Sequence, residues 1–369
     1  MTLNNIDINE IVKTKSPSRT KWFVPGSIVS KRTVNPIREV VCNMKTVPNP
    51  DKEQISLALG DPTVFGNFKI PESCSEEARL ALDVFLASGA SDALNIAIGA
   101  LCDEGQNILL PRPGFSLYTT LAKSKGIECR YYDLLAICIL INNPSNPCGS
   151  NFSSQHLESI LAVAEAYKLV IITDEIYEDM VFGDTKFYPL ASLTKVVPIL
   201  KISGLAKRFL VPGWRVGWIF VYDQNEILSE IRKSLFSLSN MILGANSLLQ
   251  YSLPDIILNT PEEFFQETNK KLEFNAKLSV EALSSIPGLN VIIPQGAMYI
   301  MIGINIDELK DVKNDVEFSE KLLQEESVMV LPGECFHYPN YVRIVFTAPP
   351  EKLQEAYGRI KEFFVRHHV

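Results

Sequence analysis

Along the chain, short runs of β-branched and leucine residues alternate with longer stretches in which apolar positions recur every three or four residues. The runs at 55–59, 84–87, 107–110, 129–134, 137–141, 170–173, 199–202 and 217–221 read as buried strands. Between 155 and 167, Leu157, Ile160, Leu161 and Ala164 share one helical face, and a strand-like run follows directly. This alternation predicts an α/β fold, a mostly parallel sheet with helices on both faces and ligand-bearing loops beyond the carboxyl ends of its strands. The first thirty or so residues are polar and aperiodic. They predict a flexible N-terminal arm.

From Pro254 the texture changes to long charged helices, broken by runs at 288–301 and 341–347. The last helix should carry Pro350 in its first turn and bury Leu353, Ala356, Tyr357, Ile360 and Phe363. The expected organisation is an arm over 1–30, a large domain over 61–254, and a smaller α+β domain formed by 31–60 with 255–369. One junction resists this order. The runs 129–134 and 137–141 nearly abut, whereas parallel strands need a crossover of about a dozen residues. Either they form one long strand or a connection is missing.

Composition narrows the chemistry. At about 150 residues per domain, 369 residues suit two domains, and 46% hydrophobic with 21% charged residues argues against disorder. The net charge of −8 gives no electrostatic basis for holding nucleic acid or an anionic membrane. Seven cysteines, odd in number and without a CxxC pair, read as reduced thiols of a cytoplasmic protein. Four histidines without HExxH or a Cys/His knuckle give no metal site. The apolar run 134–141 falls far short of the ~20 residues of a membrane helix, and the N-terminus has no signal-peptide core.

GxGxxG, GxxxxGK[ST] and GxSxG are all missing, which demotes dehydrogenases, P-loop enzymes and serine hydrolases. Polar constellations stand at strand ends instead. In SGLAKRFLVPGWR (203–215), Lys207 follows a buried strand on a glycine-containing turn, where it is placed to form a Schiff base, and Arg215 can take a phosphate. In DEIY (174–177), Asp174 ends an apolar strand and is costly to bury without a cation such as a pyridinium nitrogen, while Tyr177 can donate to a phenolic oxygen. NNPSNPCG (142–149) holds two Asn–Pro steps that favour an extended turn, and SGAS (88–91) opens a helix whose amides can hold an anion. Arg343 lies in the apolar strand YVRIVF, where an unpaired charge would be costly.

Together with NPIR (35–38), GDPTVFGN (60–67), PRPGFSLY (111–118) and GAMYIM (296–301), these motifs resemble the fold type I aminotransferases that use pyridoxal 5′-phosphate (PLP). The resemblance implies that Lys207 forms the Schiff base and then serves as general base and acid. It implies that Asp174 pairs with the ring nitrogen, that Asn146 and Tyr177 bind the phenolic oxygen, and that Phe115 stacks on the ring. The phosphate would rest on the amides of Ala90 and Ser91 and on Arg215. Arg343 would clamp the substrate α-carboxylate, with Gly60 lending a backbone contact. A homodimer with ping-pong kinetics follows, with tyrosine as amino donor and 2-oxoglutarate as acceptor. The same residues fit a broad aromatic or alanine-type transaminase, a carbon–sulfur lyase, or a cofactor-poor binding protein.

Two stretches, at 67–83 and at 135–136, are shorter than the family pattern, and the second coincides with the strand junction noted above. In the family the first carries a tyrosine that reaches the neighbouring subunit's cofactor phosphate. No tyrosine occurs here between Trp22 and Tyr118. The chain is either a shortened variant or a sequence from which these segments were dropped; a true shortening predicts weakened PLP retention and low activity.

Overall fold

The computed structural model describes residues 21–33, 83–131, 138–242 and 245–369. The expected strand at 55–59, the motifs at 35–38 and 60–67, Gly60 and the junction 135–136 lie outside the described residues, as does all of the short stretch 67–83 but its last residue.

Seven strands form the larger sheet: β1 (Val84–Ala87), β2 (Asn107–Leu109), β3 (Glu128–Arg130), β4 (Cys138–Asn142), β5 (Val170–Asp174), β6 (Ile199–Gly204) and β7 (Gly217–Tyr222). Their spatial order is β1-β7-β6-β5-β4-β2-β3. The β2–β3, β2–β4, β4–β5 and β5–β6 pairs are parallel, and only β7 runs against its neighbours β1 and β6. Every residue of β4 and β5 is buried, the mark of strands covered on both faces. Cys138 and Leu140 pack with helices α2 (Ala90–Leu101), α3 (Ser116–Ser124) and α5 (Ser229–Ser239), counting α1 as Ile28–Arg32. Ile139 and Ile141 face the other way, toward Leu157, Leu161 and Ala164 of α4 (Ser154–Tyr167). That division follows from the two-residue period of a strand.

The abutting runs resolve into β3 and β4, which are not neighbours. The β2 strand lies between them, with Cys129 and Cys138 both level with Ile108. One long strand is thereby excluded, and the link between Arg130 and Cys138 is shorter than the ten to twelve residues of an ordinary crossover.

The end of the expected arm is not free. Ser27 is buried, its hydroxyl donates to the Gly99 carbonyl of α2, and it caps α1 by accepting the Ser30 amide. The Ser30 hydroxyl donates to Ser234 of α5 at 2.7 Å. Small hydroxyl residues that look solvent-facing in the sequence here act as pins between elements.

The second sheet has the order β10-β11-β9-β8 and is antiparallel throughout. Its strands are β8 (Leu289–Ile292), β9 (Tyr299–Ile304), β10 (Leu331–Pro332) and β11 (Tyr341–Val345). After α6 (Ser247–Asn259), the helices α7 (Glu262–Ser284), α8 (Asp315–Glu326) and α9 (Pro350–His367) supply Leu272, Phe318, Leu353, Tyr357, Ile360 and Phe363 to its core. The α9 residues are those expected from periodicity, with Ala356 half-buried. Ile176 and Tyr177, just past β5, belong to this same core. The tip of the large sheet therefore packs into the second one.

Candidate active site

Parallel pairing brings the carboxyl ends of β4, β5 and β6 together, with Asn142 opposite Asp174 and Asp174 opposite Ile202. The Asn142 side-chain amide donates to the Asp174 carbonyl at 3.0 Å, and its oxygen accepts the Asn146 amide at 2.7 Å. Those two bonds hold the Asn–Pro turn against β5. Both of its Asn–Pro bonds are cis.

The Asp174 carboxylate is 3% exposed. It accepts the Tyr118 hydroxyl at 2.7 Å and the Ile176 amide at 3.2 Å. Burial pushes its pKa up to about 6, against the downward pull of those two bonds and of the Lys207 charge. Tyr118, three residues after Phe115, meets it edge to face at 5.6 Å between centroids. Lys207 is half-buried on the turn after β6, its Nζ 5.9 Å from the Tyr177 ring centre.

Arg343 enters from β11, where it pairs with Met301 and Leu331. Its Nη1 donates to Asn146 Oδ1 at 2.9 Å, while its guanidinium lies 4.6 Å from the Tyr299 ring centre and 4.8 Å from that of Phe336. Burial lowers its pKa, and its Nε is buried with no hydrogen-bond partner among the described residues. The Tyr177 and Tyr299 hydroxyls are 2.7 Å apart.

A second corner forms where β1 ends. Gly89 adopts φ +82°, and a Cβ there would fall 2.5 Å from Arg215 Nη2. Arg215 donates to the carbonyls of Pro212 and Ser88 at 3.1 and 3.4 Å, so its guanidinium rests over the start of α2. The Asp92 and Ala93 amides turn back to the Gly89 carbonyl, and those of Ala90 and Ser91, at the helix start, have no intrahelical acceptor. Gly217, between Ala87 and Gly204 in the sheet, lets β7 pass this corner, since a Cβ there would strike Gly89 and Ala90.

The structure thus places Phe115, Asn146, Asp174, Tyr177, Lys207 and Arg343 along one chain of contacts, and Ala90, Ser91 and Arg215 around Gly89. Tyr118, Asn142, Tyr299 and Phe336 join them without having been singled out in the sequence. For Tyr118 the signal was a phenol one helical turn from Phe115, whose polar tip needs a partner when buried. Tyr299 stood unassigned within GAMYIM.

A mixed seven-stranded sheet carrying an acid, a lysine and an arginine past its strand ends, closed by a second sheet bearing another arginine, defines an aminotransferase. Residues 52–360 match the family described as Aminotransferase class I and II, and the chain belongs to it. It is a PLP-dependent transaminase, of a family whose substrates are amino acids and 2-oxo acids. The chain is 45% identical over 405 aligned positions to tyrosine aminotransferase of Mus musculus, covering 95% of this chain and 89% of that one. Among solved structures it is similar to tyrosine aminotransferase from Leishmania infantum, with TM-score 0.76, 32% identity, and 95% and 100% of the two chains covered. It is also similar to alanine aminotransferase from Pyrococcus furiosus, with TM-score 0.74, 31% identity, and 78% and 77% covered.

The residues present fit PLP. A buried carboxylate short of a cation suits a pyridinium nitrogen, and the crease at Gly89 under a guanidinium, at a helix start, suits a phosphate. Among the described residues no helix is long and apolar enough to cross a membrane, and no His, Cys, Asp and Glu cluster could hold a metal ion.

Proposed function

We propose that this chain transfers the amino group of tyrosine to 2-oxoglutarate, giving 4-hydroxyphenylpyruvate and glutamate. The observation that carries the reading is the contact path from the buried Asp174 carboxylate through Asn142 and Asn146 to Arg343, which sets a cation-seeking group and a carboxylate-binding group around one lysine. The name shared by relatives covering nearly the whole chain supports tyrosine as the donor.

PLP, when bound, supplies an aldehyde that an amine can capture and a ring that withdraws electrons from the substrate α-carbon. Asp174 would hold a proton at the ring nitrogen. Asn146 and Tyr177 would hold the ring through its phenolic oxygen, with Phe115 placed to stack on it. The amides of Ala90 and Ser91 with Arg215 would anchor the phosphate. Arg343, with Gly60, fixes the substrate carboxylate so that the α-proton faces Lys207 Nζ, which takes that proton and returns it. Arg343 is set between Tyr299 and Phe336, at 4.6 and 4.8 Å from their ring centres, and this aromatic neighbourhood supports an aromatic substrate.

The large sheet and its helices form the PLP-binding domain within 61–254, and the small domain is assigned to 255–369 with 31–60, of which 34–60 lie outside the described residues. The protein works as a cytoplasmic homodimer without nucleic-acid or membrane partners. The aligned length of 405 positions exceeds the chain's 369, so the mouse enzyme has residues without counterpart here. That favours a second reading, a weakly PLP-retaining protein of low turnover.

The test is purified protein with tyrosine and 2-oxoglutarate, read by both products and by visible absorbance before and after Lys207→Ala. Formation of both products, with absorbance and transfer lost in the variant, is expected. Ammonia release without glutamate would make the protein a lyase, and visible absorbance persisting together with transfer in the variant would overturn the assignment of Lys207.

A further inference from the structure

We infer that Tyr299 is a positioning residue of this site, donating its hydroxyl proton to Tyr177 and so leaving the Tyr177 proton for the ligand. The inference rests on the function proposed above, in which Tyr177 serves the cofactor's phenolic oxygen.

The reasoning is a count of protons. Tyr177 and Tyr299 are 3% and 6% exposed, and their hydroxyls share one hydrogen bond of 2.7 Å. Two phenols carry two protons, and one bond consumes one. No other hydrogen bond joins either hydroxyl among the described residues, so one buried proton is without an acceptor, a costly arrangement unless a ligand supplies one. Which proton remains is set by the surroundings. The Arg343 guanidinium lies 4.6 Å from the Tyr299 ring centre and draws electron density from it, which makes Tyr299 the better donor.

Tyr177 lies near the Asp174 carboxylate, and burial first, then the neighbouring Tyr299 and the Asp174 charge, raise its pKa well above the ordinary value, with the Arg343 charge pulling the other way. It is therefore the better acceptor. The two rings meet edge to face at 5.6 Å and 88°. Tyr299 thus joins the carboxylate clamp to the phenol that orients the ring. The groups facing this pair are Arg343 from β11, Asp174 from the end of β5, Lys207 from the turn after β6, and Tyr118 from α3.

The experiment is a pH titration of the visible absorbance of the PLP-loaded protein, a readout that requires no turnover. A phenol that donates to the phenolic oxygen lowers that oxygen's basicity, so losing the bond raises the titration midpoint. Tyr177→Phe is expected to raise it, and Tyr299→Phe, which keeps the ring under Arg343, to raise it by about half a unit, roughly threefold in the ionisation constant. The double variant should match Tyr177→Phe alone, because Tyr299 acts through Tyr177. 3-Fluorotyrosine at position 299, a stronger donor in the same shape, should lower the midpoint and serves if Tyr299→Phe does not fold.

A midpoint moved by Tyr177→Phe but not by either change at 299, or a double variant that equals the sum, would overturn the inference and leave the proposed function standing. Wild-type protein that takes up no PLP, or a midpoint indifferent to Tyr177→Phe, would overturn both.

Discussion

The Tyr118 phenol donates to Asp174 Oδ2 at 2.7 Å, tying helix α3 to the last residue of strand β5. Burial and the neighbouring carboxylate raise the Tyr118 pKa well above its ordinary value, so the phenol stays a donor across the working range. Tyr118→Phe removes a bond to a charged acceptor, worth about 1.5–3 kcal/mol. PLP affinity is expected to fall by an order of magnitude or more, and the Asp174 pKa to rise further above 6, since the lost bond pulled it down. Equilibrium dialysis of PLP across pH checks both, and unchanged affinity would sink the assigned role.

The same carboxylate sets a pH dependence in the ligand-free protein. An acid whose folded pKa is raised, here from 3.8 to about 6, is bound more tightly by protons in the folded chain than in the unfolded one. Its cost is therefore small near pH 4, builds up between the unfolded pKa of 3.8 and the folded pKa of about 6, and levels off just above pH 6 at roughly 3 kcal/mol. Asp174→Asn removes the titration, so the stability of the variant relative to wild type should climb by about 2.5 kcal/mol between pH 4, where part of the cost is already present, and pH 7.5. Urea midpoints at the two pH values measure it. In the presence of PLP the order should reverse, because the wild-type carboxylate then has its cation.

Much of this was legible in the chain, and what was not has a local cause. Strand runs in fully buried parallel strands stand out because nothing polar interrupts them, and Asp174, Lys207 and Arg343 stand out against that background. Tyr118 and Tyr299 do not. A tyrosine in an apolar segment counts as core by pattern, and only coordinates reveal that its hydroxyl meets Asp174 or Tyr177. Ser27 and Ser30 were lost for the opposite reason, since a hydroxyl that pins helix to helix looks like a solvated arm. The order of β3, β2 and β4 was out of reach because pairing across a sheet leaves no periodic trace.

Arg343 separates substrate binding from cofactor binding. It donates to Asn146, which in the proposed site touches the cofactor, but its fork and its place between Tyr299 and Phe336 suit a carboxylate. Lysine offers a point charge in place of a planar fork, so Arg343→Lys is not conservative here. The kcat/KM values for tyrosine and for 2-oxoglutarate should both fall about 100-fold, ~2.7 kcal/mol, with most of the loss in KM. The visible absorbance should persist. Loss of absorbance, or a loss confined to one of the two substrates, would contradict the shared-clamp assignment.

Gly89 and Arg215 make a prediction specific to the phosphate. At φ +82° any side chain is strained, and a Cβ 2.5 Å from Nη2 and 2.8 Å from Cζ must displace the guanidinium. Because that guanidinium is the exposed end of a flexible side chain, it can move, and the cost of Gly89→Ala to the fold should come from the backbone, about 1–3 kcal/mol, since φ +82° with ψ 166° is a region that essentially only glycine adopts. Binding should suffer more, since the moved guanidinium no longer rests over the Ala90 and Ser91 amides. The comparison that isolates the effect is PLP against pyridoxal, which lacks the phosphate. Gly89→Ala and Arg215→Ala should each weaken PLP binding while leaving pyridoxal unaffected. The double variant should lose little beyond Arg215→Ala, because the glycine acts by seating that arginine. Equal losses for PLP and pyridoxal would mean that the corner supports the fold and not the phosphate.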